Sequence, residues 1–206
     1  MNIAGVILAG GQARRMGGGD KALLQLGGKP LLRHVIDRFS VQVDVMVLSA
    51  NGDPARFDAF GLEVVSDSIP DFAGPLAGIL AGMDWAAERG HERVVSVAAD
   101  TPFFPDRLAP GLASAAFAAD KKIALAAERG PEGQPKFHPT FMSIHVSLRE
   151  ELREALEQGT RKILDFADQQ GAAWMFFDGF GSDLFFNINT PEDLQKAEAR
   201  LQGAVQ

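Results

Sequence analysis

Short apolar runs rich in Val, Ile and Leu recur at residues 3–8, 43–48, 64–65, 94–98 and 123–127. Each is too short for a core helix and has the make-up of a strand buried on both faces. Between them, residues 31–39, 54–60, 76–89 and 106–119 space apolar side chains three and four apart, as an amphipathic helix does. Strand and helix alternate, which specifies a mostly parallel sheet covered on both faces and joined by right-handed crossovers. The expected fold is therefore α/β, a Rossmann-like three-layer α/β/α sandwich. After Gly130 the rhythm changes: residues 137–144 and 174–177 look like strands and residues 148–157 and 162–170 like helices, so one antiparallel strand is expected. The final helix starts at Thr190-Pro191-Glu192-Asp193, where Thr190 can cap, Pro191 suits the first turn and the acids face the positive helix end. No repeat, low-complexity tract or linker interrupts the pattern, so residues 1–206 read as a single domain.

In an open sheet of this kind the ligand crevice lies beyond the carboxyl ends of the strands. Four polar stretches follow the first four strands: the glycine-rich "GGQARRMGGGDK", Ser49-Ala50-Asn51, Ser66-Asp67-Ser68 and Asp100-Thr101-Pro102. They should converge on one rim.

Composition narrows the ligand. A net charge of −7 argues against a nucleic-acid backbone, which needs a broad basic face. Arg14, Arg15 and Lys21 nevertheless gather in one loop, a local cationic site suited to a small anion. The absence of cysteine removes disulfides, thiolate metal sites and cysteine nucleophiles. No apolar stretch is long enough to cross a bilayer, and the run at residues 3–9 lacks a basic leader and cleavage site, so a cytoplasmic protein without a membrane partner is expected.

The glycine loop can point backbone N–H groups at an anion while Lys21 supplies a full charge. It is not a Walker loop, because Ala22 stands where that motif has Ser or Thr. Gly17, Gly19 and Ala22 match the loose dinucleotide pattern but lie too far past the strand end. Asp100, just past a central strand, either caps a turn or meets a cation, with magnesium favoured beside substrate phosphates. Asp67 poses the same choice. In "DFAGPLAGILAGM" the small residues at the helix start either let a flat ring approach the backbone or let the helix pack closely. Asn187 and Asn189 lie on one side of an extended segment, able to hold a polar ligand or to start the last helix. Among His34, His91, His138 and His145 no zinc spacing occurs, and there is no GxSxG elbow. His138, in "KFHPTF" with Lys136 and Thr140, is either a satisfied structural histidine or part of a ligand site.

Taken in order, "LAGGQARRMGGGDK", "DSIPDFAGPLAGI", "AADTPFFP", "FHPTF" and "NINTPEDL" resemble the MobA-type molybdenum cofactor guanylyltransferases of the nucleotidyltransferase superfamily, over nearly the whole chain. The resemblance implies transfer of the GMP moiety of GTP to molybdopterin with Mg2+, giving the guanine dinucleotide cofactor and pyrophosphate. It places GTP on Leu8, Ala9, Gly10, Lys21, Asp67 and Asp100, with magnesium on Asp100. One further nucleotide contact falls within Ser49-Ala50-Asn51, with Asn51 as the candidate. Lys21, Asp100 and Arg15 are the expected catalytic set, and Lys136, His138, Asn187 and Asn189 the expected molybdopterin side. Molybdoenzymes or their chaperones would receive the product. The alternatives are a cytidylyl or sugar-phosphate nucleotidyltransferase of the same fold, or a non-catalytic GTP-binding module.

Overall fold

A computed structural model describes residues 2–10, 20–67, 69, 74–130, 133–178 and 183–203. Nine strands and six α-helices alternate along them: β1 (Ile3–Leu8), β2 (Gln25–Leu26), β3 (Lys29–Pro30), α1 (Leu31–Phe39), β4 (Val45–Ser49), β5 (Glu63–Val65), α2 (Pro75–Glu88) and β6 (Arg93–Ala98) come first. Then follow α3 (Leu108–Ala118), β7 (Ile123–Arg129), β8 (Pro135–His145), α4 (Arg149–Glu157), α5 (Ile163–Gln170), β9 (Ala173–Phe177) and α6 (Pro191–Gly203). Seven strands form one sheet in the order β5-β4-β1-β6-β8-β7-β9, all parallel except β8. The expected sandwich with one antiparallel strand is therefore what the chain forms.

The period of two in β1 divides the core. Ile3 and Ile7 point into a cluster with Phe39, Phe104 and Leu112 beneath α1 and α3, while Ala4 and Val6 point into another with Ile79, Leu80 and Phe166 beneath α2 and α5. A third, smaller cluster joins Leu26, Leu31, Ile188 and Ala197, and seats α6 against the short β2–β3 ladder.

Three local features depart from the sequence expectation. The β2–β3 ladder turns through Gly27 and Gly28, both at positive φ (57° and 75°), a two-glycine hairpin signal inside "QLGGKP". The helix expected at residues 54–60 is a 3-10 helix, started by Asp53, whose side chain accepts from Ala55 N at 3.0 Å, and ended by Gly61 at φ 69°. In β8, residues 139–141 bulge out where the pairing steps from Met142↔Leu125 to His138↔Ala126. The bulge directs the Thr140 carbonyl onto the otherwise buried Ser96 hydroxyl at 2.7 Å.

Because β6 leaves β8 at Ser96↔Met142, the outer parts of β7 and β8 continue past the end of β6. They form a wall along one side of the rim defined by the carboxyl ends of β1, β4, β5 and β6.

Candidate active site

A cavity of about 390 Å³ opens at that rim. Leu8 and Gly10 contribute from the end of β1, Ser49 to Asn51 from β4, Asp67 from β5 and Asp100 from β6. The expected convergence of four strand ends thus holds for the described residues. Gly11 to Gly19, including the expected catalytic Arg15, lie outside them.

Lys21 sits at the start of a 3-10 turn (Lys21–Leu23) and is buried to 8 % exposure. A buried ammonium needs its protons accepted. Three side chains do this: Nζ donates to Asp100 Oδ2, to Asn189 Oδ1 at 2.6 Å and to Asn187 Oδ1 at 3.1 Å. Residues separated by 79 and 168 positions therefore meet at one nitrogen. Asp100 also accepts from the Thr101 hydroxyl at 3.1 Å, and its carbonyl accepts from Ile188 N at 3.0 Å. The second bond fixes the Asn187–Asn189 segment against the end of β6. Its far end is held by a capping box: Asp193 accepts from the N–H groups of Asn189 and Thr190, both at 3.0 Å, and Asp193 N donates to Thr190 Oγ1 at 3.2 Å. The backbone N–H of Asn189 is the main reason the Asp193 carboxyl stays below the usual carboxylate range.

On the opposite side of the cavity Asn51 and Asp67 clasp each other. Asn51 Nδ2 donates to Asp67 Oδ2 at 2.7 Å, and Asp67 N donates to Asn51 Oδ1 at 2.9 Å. Asn51 is thus engaged through its side chain with Asp67, while Ser49 lines the same cavity from beneath. Arg56 ties this loop to the cationic one: its NH2 donates to Asn51 O at 2.5 Å and its Nε lies 2.5 Å from Asp20 Oδ2. Nothing in the sequence singled Arg56 out, since an arginine within the short helical stretch at residues 54–60 belongs to no motif.

The floor near Gly74, Pro75 and Gly78 is made by the first turn of α2. A Cβ on Gly78 would collide with Ser49 Oγ and stand 2.9 Å from Leu8 Cδ2, and one on Gly82 would collide with Val6. Both readings of the small residues hold at Gly78, which lines the cavity and also permits close packing; at Gly82 only packing applies.

Lys136 and His138 do not line the cavity. They stand on the β8 wall around Glu128, a carboxylate only 8 % exposed that sequence inspection passed over. Asn187, expected with them, is instead in the cavity and on Lys21. Among the described residues no group of three or more His, Asp or Glu side chains could enclose a metal on its own. The donor set suits a cation that takes one carboxylate from Asp100 and its other oxygens from a phosphorylated substrate and water.

A rim cavity lined by Asp100, with Lys21 bonded to that carboxylate, at the carboxyl ends of this sheet order is the arrangement of a nucleotidyltransferase. The chain belongs to the MobA-like NTP transferase domain family, whose model matches residues 5–172. It is 46 % identical over 205 residues to a molybdenum cofactor guanylyltransferase of Mesorhizobium japonicum, covering 98 % of this chain and 97 % of that protein. It is 49 % identical to a protein of the same description from Bradyrhizobium sp. (strain ORS 278), covering 95 % of this chain and 92 % of that one. Among solved structures it resembles molybdopterin-guanine dinucleotide biosynthesis protein A from Archaeoglobus fulgidus, with TM-score 0.73 and 26 % identity over 97 % of this chain and 99 % of that one. No helix among the described residues is long and apolar enough to cross a membrane.

Proposed function

We propose that this protein transfers the guanylyl group of GTP to the phosphate of molybdopterin, with Mg2+ as the cation. The observation that carries the proposal is the meeting of Lys21 and Asp100 at the mouth of a cavity bounded by Asn51, Asp67 and the small-residue start of α2. The full-length relatives named as molybdenum cofactor guanylyltransferases support the choice of substrates.

The chemical problem is charge. An acceptor phosphate oxygen must attack the α-phosphorus of a triphosphate, forming one P–O bond as the bond to the β-phosphate oxygen breaks and pyrophosphate leaves. Two unit charges 4 Å apart repel by about 4 kcal/mol at an effective dielectric near 20, and several such pairs act together here. Lys21 brings a compact positive charge to this point, fixed before the reaction by three acceptors, so little reorganisation remains. The Asn187 and Asn189 amides hold that charge in place. Asp100 would hold Mg2+, which neutralises and orients phosphate oxygens when bound. Phosphate is already nucleophilic, so no general base is required. The Asn51–Asp67 clasp presents a fixed polar edge to the nucleoside, and Gly78 leaves room for the base beside the backbone. Arg15, within the glycine-rich sequence that precedes Lys21, is the candidate for a further positive charge on the phosphates.

Calorimetric titration with GTP, CTP and UTP in the presence of Mg2+ tests the nucleotide. The proposal expects tight binding of GTP alone; preference for CTP or UTP would reassign the protein within its superfamily.

A further inference from the structure

Glu128 is a costly feature that the nucleotide cavity does not explain. It lies on β7 on the same sheet face as Ala124 and Ala126, which belong to the core beneath α1 and α3. A carboxylate so placed is retained only if paired, because its desolvation cost is several kcal/mol or about that order. Its partners come from the facing strand. Lys136 is its cross-strand neighbour and Nζ lies 2.9 Å from Glu128 Oε1, while His138, two residues on and on the same face, places Nε2 3.2 Å from the same oxygen.

Both partners also reach out to the segment that follows β9. Lys136 Nζ donates to Asp183 Oδ1 at 3.0 Å, and the His138 ring stacks on Phe185 with centroids 4.1 Å apart and planes 21° off parallel. Two and four residues beyond Phe185 come Asn187 and Asn189, the amides that hold Lys21. Arg200 reinforces the same stretch from α6, donating to Asp183 O at 2.7 Å. Burial pushes the His138 imidazole below its ordinary range, against the pull of Glu128, so the ring stacks as a neutral aromatic at neutral pH. Burial also opposes the charge on Lys136, but Glu128 and Asp183 outweigh it and leave that ammonium above its usual range.

We infer that Glu128, Lys136 and His138 form a positioning cluster that grips Asp183 and Phe185 and thereby sets Asn187 and Asn189 at the distance that keeps Lys21 beside Asp100. The cluster replaces direct contact with molybdopterin as the role of Lys136 and His138. The inference rests on Lys21 being the fixed charge of the transfer site, and its test is independent of which nucleotide or acceptor is used.

The test is competitive acetylation of the free protein with acetic anhydride, read by mass spectrometry as labelling of Lys21 relative to the exposed Lys29. In the wild-type protein Lys21 should label slowly, because its nitrogen is buried and bonded to three acceptors. Glu128→Gln removes the charge and keeps the shape; it should raise relative Lys21 labelling about threefold or more, as expected of coupled members of one network. Lys136→Met, at a half-exposed side chain, should move it in the same direction and serves where Glu128→Gln does not fold. In an Asn187→Ala, Asn189→Ala background, Glu128→Gln should add nothing. Unchanged Lys21 labelling in folded Glu128→Gln or Lys136→Met protein, with only melting temperature reduced, would make the cluster a fold stabiliser and overturn the inference. Altered labelling in a protein that proves inactive on GTP would uphold the cluster and reject the guanylyl reading.

Discussion

At the scale of single residues the account rests on one ammonium with three acceptors. Lys21→Ala should lower kcat by roughly 10²–10³, the loss typical when a preorganised charge-stabilising donor is removed. Steady-state kinetics on a variant of unchanged circular dichroism checks this. Asp100→Asn should abolish the response of turnover to Mg2+, followed by titrating the cation at fixed GTP; a retained response would move the metal elsewhere. Lys21 and Asp100 were legible in the sequence because each stands where few other roles fit, one ending a glycine loop and one ending a central strand. The Asn pair was legible only in part. A separation of two residues says that both amides share a side, but not that both accept from Lys21, a residue 166 and 168 positions away in the chain. Arg56 and Glu128 were illegible for a different reason: charged residues in a short helical stretch and an ordinary strand gain meaning only from partners such as Asp20 and Lys136 that the fold brings to them.

At the scale of elements, α2 packs so closely on the sheet that glycine is required twice. Gly82→Ala places a methyl against Val6, with Cγ1 2.8 Å away, and should cost about 1–3 kcal/mol through overpacking. In a domain of this size that lowers Tm by about 2–4 °C per kcal/mol, measurable by calorimetry. Gly78→Ala should also raise KM for GTP, since Gly78 both touches Ser49 and lines the cavity. The start of α6 makes a pH-dependent contribution. The folded state holds the Asp193 carboxyl below its ordinary value, so this stabilisation is complete above the unfolded pKa and fades as pH falls through the folded one. The acid limb of a Tm-against-pH curve should therefore flatten in Asp193→Asn, while the curves coincide in shape near neutrality. Helix positions were readable from apolar spacing and from the Thr190-Pro191 start. The β2–β3 hairpin and the β8 bulge were not: a two-residue ladder has no periodicity, which leaves the Gly27-Gly28 pair as its one signal, and a bulge is set by the partner strand.

At the scale of the whole molecule, the alternation of strands and helices fixes where chemistry can occur. Four parallel strands end on one rim, β7 and antiparallel β8 rise beside it as a wall, and the chain returns after β9 to close the site before entering α6. The segment from Asp183 to Asn189 joins wall and rim through Lys136, His138, Asp100 and Lys21. An acidic molecule with its described cationic centre recessed in this way suits a small phosphorylated ligand better than a polyanion. The fold and rim followed from pattern alone, since both are consequences of periodicity and of right-handed connection. The identity of the acceptor did not, because no short motif describes a surface assembled from separate strands.

The most direct test of the central claim is pyrophosphate release measured with each nucleoside triphosphate, Mg2+ and molybdopterin, singly and combined. Release should occur with GTP only, and only when the cation and molybdopterin are both present. Release from CTP or UTP in place of GTP, or binding of GTP with no release under the complete mixture, would contradict it.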